Sequence, residues 1–287
     1  MIAVWKHELS NHFHSLTAYI FSAFLLAFVG LGAMLYNIQS AVANFEYVLS
    51  FVCLGFVVII PILTMKVIAE ERRQKTDQLL YSLPITTSQI IIGKYLALLI
   101  VYLVPLVIIS FYPLIFSRFG EVYLLTSYGS MFAFFMMGAA FMAIGMFISS
   151  LTDNLGFAAG IAIPVILLNY YSVPLAEYVS STAIGSAVAL IAAAVILGFV
   201  IRYLTRNDNL AFGVGAVLSI AIAGLFLTDS AGFEGLLPDI MTKLSLFERF
   251  YTFVNGVFDL TAIIYYVTVI VFFLFLSVQS LEKRRYN

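Results

Sequence analysis

The chain has 287 residues, of which 63% are hydrophobic and 10% charged, with a formal net charge of −1. Soluble domains carry about 25% charged residues; no soluble core could hide this much apolar surface, so lipid is the solvent for much of it. The charge balance gives no sign of nucleic-acid binding, and the single cysteine, Cys53, excludes an internal disulfide or a Cys/His metal spacing.

The first fifteen residues carry Lys6, His7, Glu8, His12 and His14 and do not read as a cleavable signal. Trp5, Leu9, Phe13 and Leu16 recur about one turn apart, with Lys6, Glu8, Ser10, Asn11 and His14 between them. This predicts an amphipathic helix over 1–16, lying in the cytoplasmic interface. His12 and His14 fall on different faces of that helix and read as interfacial polar residues.

Charge-free stretches of roughly 17 residues or more mark candidate spans. In chain order they are Leu9–Phe45, Tyr47–Met65, Tyr95–Ser117, Val122–Thr152, Asn154–Ala176, Tyr178–Ile201, Asn209–Thr228 and Leu260–Leu281. The reading is an all-α integral membrane protein, a polytopic bundle of about eight transmembrane helices. It is one transmembrane domain over 1–287, with each span satisfying its own backbone hydrogen bonds. With the N-terminus inside, eleven of the 14 basic residues fall inside, and Arg118, Lys243 and Arg249 fall outside. That bias sets both termini in the cytoplasm. The fifth span contains Pro164, and the seventh is rich in small residues (Gly213, Gly215, Ala216, Ala221, Ala223, Gly224) that favour close helix packing. The long external loop, 229–260, has a stripe of Leu237, Ile240, Met241, Leu244, Phe247, Phe250, Val254 and Val257. It predicts short amphipathic helices begun by Pro238.

The largest cytoplasmic loop, 66–94, begins with Glu70, Glu71, Arg72 and Arg73 and continues through Lys75, Thr76 and Asp77 to a helix-length piece with Leu79, Leu80 and Leu83. Pro84 stops that piece, and Thr86, Thr87 or Ser88 can cap the next helix. The residues alone fit either a solvated hairpin between two spans or a docking element with apolar knobs for a cytoplasmic partner. The span interiors contain no ionisable residue, which disfavours ion-coupled carriers and intramembrane proteases. Gly93-Lys94 is followed by Tyr95 and lacks the earlier glycine of a phosphate-binding loop. Catalytic, cofactor and metal residues are all expected to be absent. Tyr123, Tyr128, Asn169, Tyr170 and Tyr171 could line a path, although aromatic residues near span ends also serve as interface anchors.

Glu70-Glu71-Arg72, Thr76, Leu79-Leu80, Pro84 and Gly93-Lys94 together resemble the permease subunits of type-2 ABC exporters. In that family Lys75 is usually glycine and Asp77 usually glutamate. The stretch Gly145 to Thr152, and the run from Leu244 through Phe253, Gly256 and Tyr265-Tyr266 to Arg285, are similar to the gliding-motility-type branch. The resemblance covers roughly 1–170 and 238–287. It implies a six-helix core, to which this chain adds a helix pair over 175–230.

The resemblance also implies a membrane-spanning permease subunit of an ATP-driven exporter, with no catalytic site of its own. It would reside in the plasma membrane of a prokaryote, pair with a second permease chain and bind a cytoplasmic ABC ATPase that carries the ATP and Mg. Glu70, Glu71, Arg72, Arg73, Thr76, Asp77, Leu79, Leu80, Leu83, Pro84, Gly93 and Lys94 would form the ATPase-coupling element, beside the interfacial helix of Trp5, Leu9 and Phe13. The alternative is an ATP-independent multi-span carrier or a membrane scaffold.

Overall fold

A computed structural model describes residues 2–76, 85–205 and 208–285. It is 86% helix, with no strand among the described residues. Six helices are long and apolar enough to cross a membrane, or up to eight if each of two bent pairs is one span. The expected polytopic helical membrane fold is therefore present.

The helices are α1 (Ile2–His14), α2 (Leu16–Gly32, continued by a π-helix over Ala33–Gln39), α3 (Glu46–Thr64), α4 (Lys66–Gln74), α5 (Thr87–Ile109), α6 (Phe111–Phe116), α7 (Leu124–Leu151) and α8 (Leu155–Tyr170). They continue as α9 (Ser172–Tyr178), α10 (Ala183–Thr205), α11 (Asp208–Thr228), α12 (Leu236–Leu244), α13 (Leu246–Val254) and α14 (Leu260–Arg285). Backbone packing groups them into two units, Met1–Tyr170 with Arg249–Asn287, and Tyr171–Glu248.

In the first unit, α1 ends two residues before the predicted boundary. Ser15 is extended (φ −95°, ψ 150°) at the N-cap position of α2, its hydroxyl donating back to the His12 carbonyl at 3.0 Å, so Leu16 opens the next helix instead of completing the amphipathic stripe. Thr86 caps α5 as its type predicts, its side chain accepting the Gln89 N–H at 3.3 Å. The centre of the unit is α7, 83% of whose apolar window is buried against 17% for α14.

Apolar contact alone does not hold such a centre together, because lipid is as apolar as leucine; close packing and interhelical hydrogen bonds do. Gly138 supplies the first. A Cβ there would lie 2.5 Å from the Tyr102 hydroxyl oxygen. Tyr102 fills that space and donates to the Phe134 carbonyl at 2.8 Å, while Tyr95, two turns earlier on α5, donates to the Ala139 carbonyl at 3.0 Å. Phe21, Phe56 and Phe134 surround the Tyr102 ring with centroids 6.0 to 6.4 Å away. The C-terminal half of α13 joins the same centre. Phe250 packs edge-on to Phe134, Ser130 donates to the Phe253 carbonyl at 3.0 Å, and the Arg249 guanidinium lies 4.2 Å from the Tyr265 ring centroid.

The second unit is built on the α10–α11 hairpin, which occupies the place of the expected extra pair. A Cβ on Gly215 would lie 3.7 Å from the Ala194 carbonyl oxygen and from the Gly198 Cα, so the two helices meet backbone to backbone. Beyond α11 the chain bends by 120° into α12, which carries Pro238 in its first turn. Gly235, at φ +70°, makes the turn, and its N–H donates to the Ser181 carbonyl at 2.8 Å.

Candidate functional site

The π-helical end of α2 and the loop to Glu46 lie at one end of the first unit. The opposite end holds α1, α4, the start of α5 and the end of α7, and Glu8, Glu71 and Lys94 meet there. Lys94, on the second turn of α5, is 1% exposed. Its ammonium meets Glu8 Oε1 of α1 at 2.7 Å and Glu71 Oε1 of α4 at 2.6 Å. A buried ammonium needs partners of opposite charge and hydrogen bonds to offset its lost hydration. Two carboxylates from two other helices supply both.

Gly93 makes the arrangement possible. A Cβ there would stand 3.1 Å from Val4 Cγ1 and 3.4 Å from the Trp5 backbone nitrogen, so α1 lies directly on α5 at this glycine. The Gly-Lys pair thus combines a close approach with an ionic tie one residue later. On α1 the residue facing inward is Glu8, 8% exposed, while Trp5, Leu9 and Phe13 are half-buried. The periodicity of the apolar residues placed Glu8 on the polar face; Lys94 turns it inward. His12, one turn on from Glu8, is also half-buried. Burial holds its imidazole below the ordinary value, the Glu8 carboxylate opposes that, and the Lys94 ammonium adds to it.

A second tie joins α4 to α7. Pro61 lies inside α3, and the helix is interrupted at Met65 before restarting as α4. The first amides of a helix lack intrahelical acceptors. Here the acceptor comes from another helix: Ser149 Oγ of α7 takes the N–H groups of Ile68 (3.2 Å) and Ala69 (3.0 Å) and donates to the Met65 carbonyl at 2.9 Å. One turn earlier on α7, Gly145 leaves room for Thr64: a Cβ there would be 2.2 Å from the threonine hydroxyl oxygen. Gly145 and Ser149, one turn apart, therefore form the face that receives the interrupted α3–α4 helix, while Phe147 meets Phe273 and the Ser150 carbonyl accepts from Ser280 of α14.

At the other end of α4, Lys75 is left-handed (φ +59°), with its N–H on the Arg72 carbonyl and the Thr76 N–H on the Glu71 carbonyl. These two bonds form the helix-ending motif that glycine fits best. Glu70 accepts from Gln74 at 3.4 Å, Thr76 Oγ1 donates to the Glu71 carbonyl at 3.3 Å, Arg72 is buried and Arg73 is exposed. Asp77, Leu79, Leu80, Leu83 and Pro84 lie outside the described residues.

One buried ionisable group was not legible as such. Glu46, 3% exposed at the start of α3, accepts from Asn44 at 2.6 Å and from Ser127 of α7 at 3.2 Å. In the sequence it only separates two charge-free runs; the available signal was a lone acid between apolar segments with no basic neighbour. Among the described residues no group of three or more His, Cys, Asp or Glu could hold a metal ion.

The chain is thus a multi-pass helical membrane protein with a buried ionic centre at one end of its first unit. The chain belongs to the ABC-2 family of transporter proteins, whose family model, described as ABC-2 family transporter protein, matches residues 29–182. The match takes in α3 to α9 and with them Glu71, Gly93, Lys94 and Ser149. No curated protein matches the chain.

Proposed function

We propose that the chain is the permease subunit of an ATP-driven exporter, working with a separate cytoplasmic ATPase and a second permease chain, identical or related. The observation that carries this reading is Lys94 bound to Glu8 and Glu71. It fastens the segment leading into the loop at 77–84 to the N-terminal helix and to α5, while Ser149 fastens the same segment to α7. A push on the loop by a partner would thus reach three helices at once. In this reading both termini are cytoplasmic, the loop docks in a groove of the ATPase through Leu79, Leu80 and Leu83, and ATP and Mg reside on the partner. Closure of two ATPases drives the permease halves between inward- and outward-open states. Within the family, the C-terminal run supports the gliding-motility-type branch.

Purification of the tagged chain from its native host in mild detergent tests the proposal. A stoichiometric partner with a phosphate-binding loop, lost from a Leu79→Asp/Leu80→Asp variant that still purifies as a folded protein, is the expected result. A chain that purifies alone while its chromosomal neighbours are expressed overturns it in favour of an ATP-independent carrier or scaffold.

A further inference from the structure

The α10–α11 hairpin encloses an open groove of about 280 Å³ lined by Val195, Gly198, Phe199, Phe212, Gly215 and Ala216, with Ser219 at one end and Arg202 at the other. The lining repeats at helical spacing on both helices, so the groove runs along the hairpin for roughly 10 Å at 1.5 Å per residue. Ser219 spends its hydroxyl on the Gly215 carbonyl at 2.8 Å, which leaves the channel floor apolar. In a membrane-spanning hairpin such a channel is in contact with hydrocarbon, and an acyl chain is what fits it.

The mouth is polar and charged. Arg202 lies over the Phe212 ring at 5.9 Å and donates from Nε and Nη2 to Asp208 at 2.7 and 3.5 Å. Its Nη1 has no protein partner among the described residues, and the two side chains are 49% and 59% exposed. The pair therefore offers a guanidinium edge for a phosphate and, beside it, a carboxylate for an ammonium. Basic groups between helices at a membrane surface are typical headgroup sites; among the described residues Asp208 balances Arg202, and that pairing of charges matches a zwitterionic headgroup.

We propose that the groove binds a phospholipid with an ethanolamine headgroup, one acyl chain along Phe199 and Gly215, its phosphate on Arg202 and its ammonium on Asp208. The inference is independent of ATPase coupling, since it rests on the hairpin alone.

The test is quenching of a single tryptophan. A Trp5→Phe/Phe199→Trp chain is placed in phosphatidylcholine nanodiscs containing small fractions of phosphatidylethanolamine, phosphatidylglycerol or phosphatidylcholine with the same brominated acyl chains. Quenching by the ethanolamine lipid at a severalfold lower fraction than by the other two is the expected result. Arg202→Gln then abolishes the preference, and Asp208→Asn shifts it toward phosphatidylglycerol. Equal quenching by all three lipids, a preference for phosphatidylglycerol in the starting chain, or a preference surviving Arg202→Gln would each overturn the assignment. Both charged side chains are exposed, and unquenched emission and elution volume identify a variant that has misfolded.

Discussion

Ser149 Oγ accepts the backbone N–H of Ala69 at 3.0 Å, although 80 positions separate the two residues in the chain. An N-cap is usually local; this one is supplied by the central helix to the restarted end of its neighbour. Ser149→Ala should cost about 1–2 kcal/mol, the upper range for a lost cap, because the buried Ile68 amide loses its acceptor and the Ala69 amide and Met65 carbonyl each lose one bond. Hydrogen exchange in detergent checks it: the Ile68 and Ala69 amides should lose protection while the amides of α5 keep theirs. Unchanged protection at both would show that the cap carries no load.

Lys94→Met leaves two carboxylates beside an apolar side chain. Breaking a buried ionic group by removing one member costs about 3–5 kcal/mol, and the partial exposure of Glu71 places the expected loss at the lower end. The triple variant Lys94→Met/Glu8→Gln/Glu71→Gln should recover much of it, since the stranded charges are gone. Thermal unfolding of the three proteins in one detergent decides; a triple variant no better than the single would mean that the lysine acts through packing.

Lys75→Gly should stabilise the chain modestly, by about 0.5–1 kcal/mol. The left-handed conformation at φ +59° costs an L-residue roughly 1–2 kcal/mol, and the greater freedom of glycine in the unfolded chain returns part of the gain. A fall in the unfolding midpoint would contradict this account of Lys75.

The His12 imidazole is held below its ordinary value of 6.5 by burial, opposed by Glu8 and assisted by Lys94. The folded state therefore binds its proton less readily than the unfolded state does. Stability from this group is fully present above 6.5 and is lost as pH falls through the lower folded value. His12→Gln should flatten the decline of the unfolding midpoint just below pH 6.5. An identical profile in the variant would remove His12 from the acid response.

Most spans were legible because charge is so scarce: six of the eight long apolar runs between Lys, Arg, Asp or Glu became spanning helices, while 154–176 and 209–228 qualify only as parts of bent helix pairs, and Pro238 and Thr86 marked helix starts by local chemistry alone. The helix boundary at Ser15 was less legible, since a periodic stripe does not reveal that one extended residue interrupts it. The ionic centre was hidden for a different reason. Gly93-Lys94 stood out as a pair, but nothing near it in the chain names Glu8 as its partner, and an acid on an amphipathic helix ordinarily faces water. Glu46 and Ser149 were hidden in the same way, because their roles exist only once α7 lies against α3 and α4.

The tie between Glu8 and Lys94 also bears on how the protein is made. The two residues are 86 positions apart, so the N-terminal helix emerges from the ribosome without the lysine that will accept its carboxylate. At synthesis rates of 5–20 residues per second, the wait lasts roughly 4–17 s. The first two spans are completed during that interval, and until it ends the first helix has only the membrane surface to rest on. Its half-buried Trp5, Leu9 and Phe13 suit it to that wait, and its final seating reports that the third span has arrived.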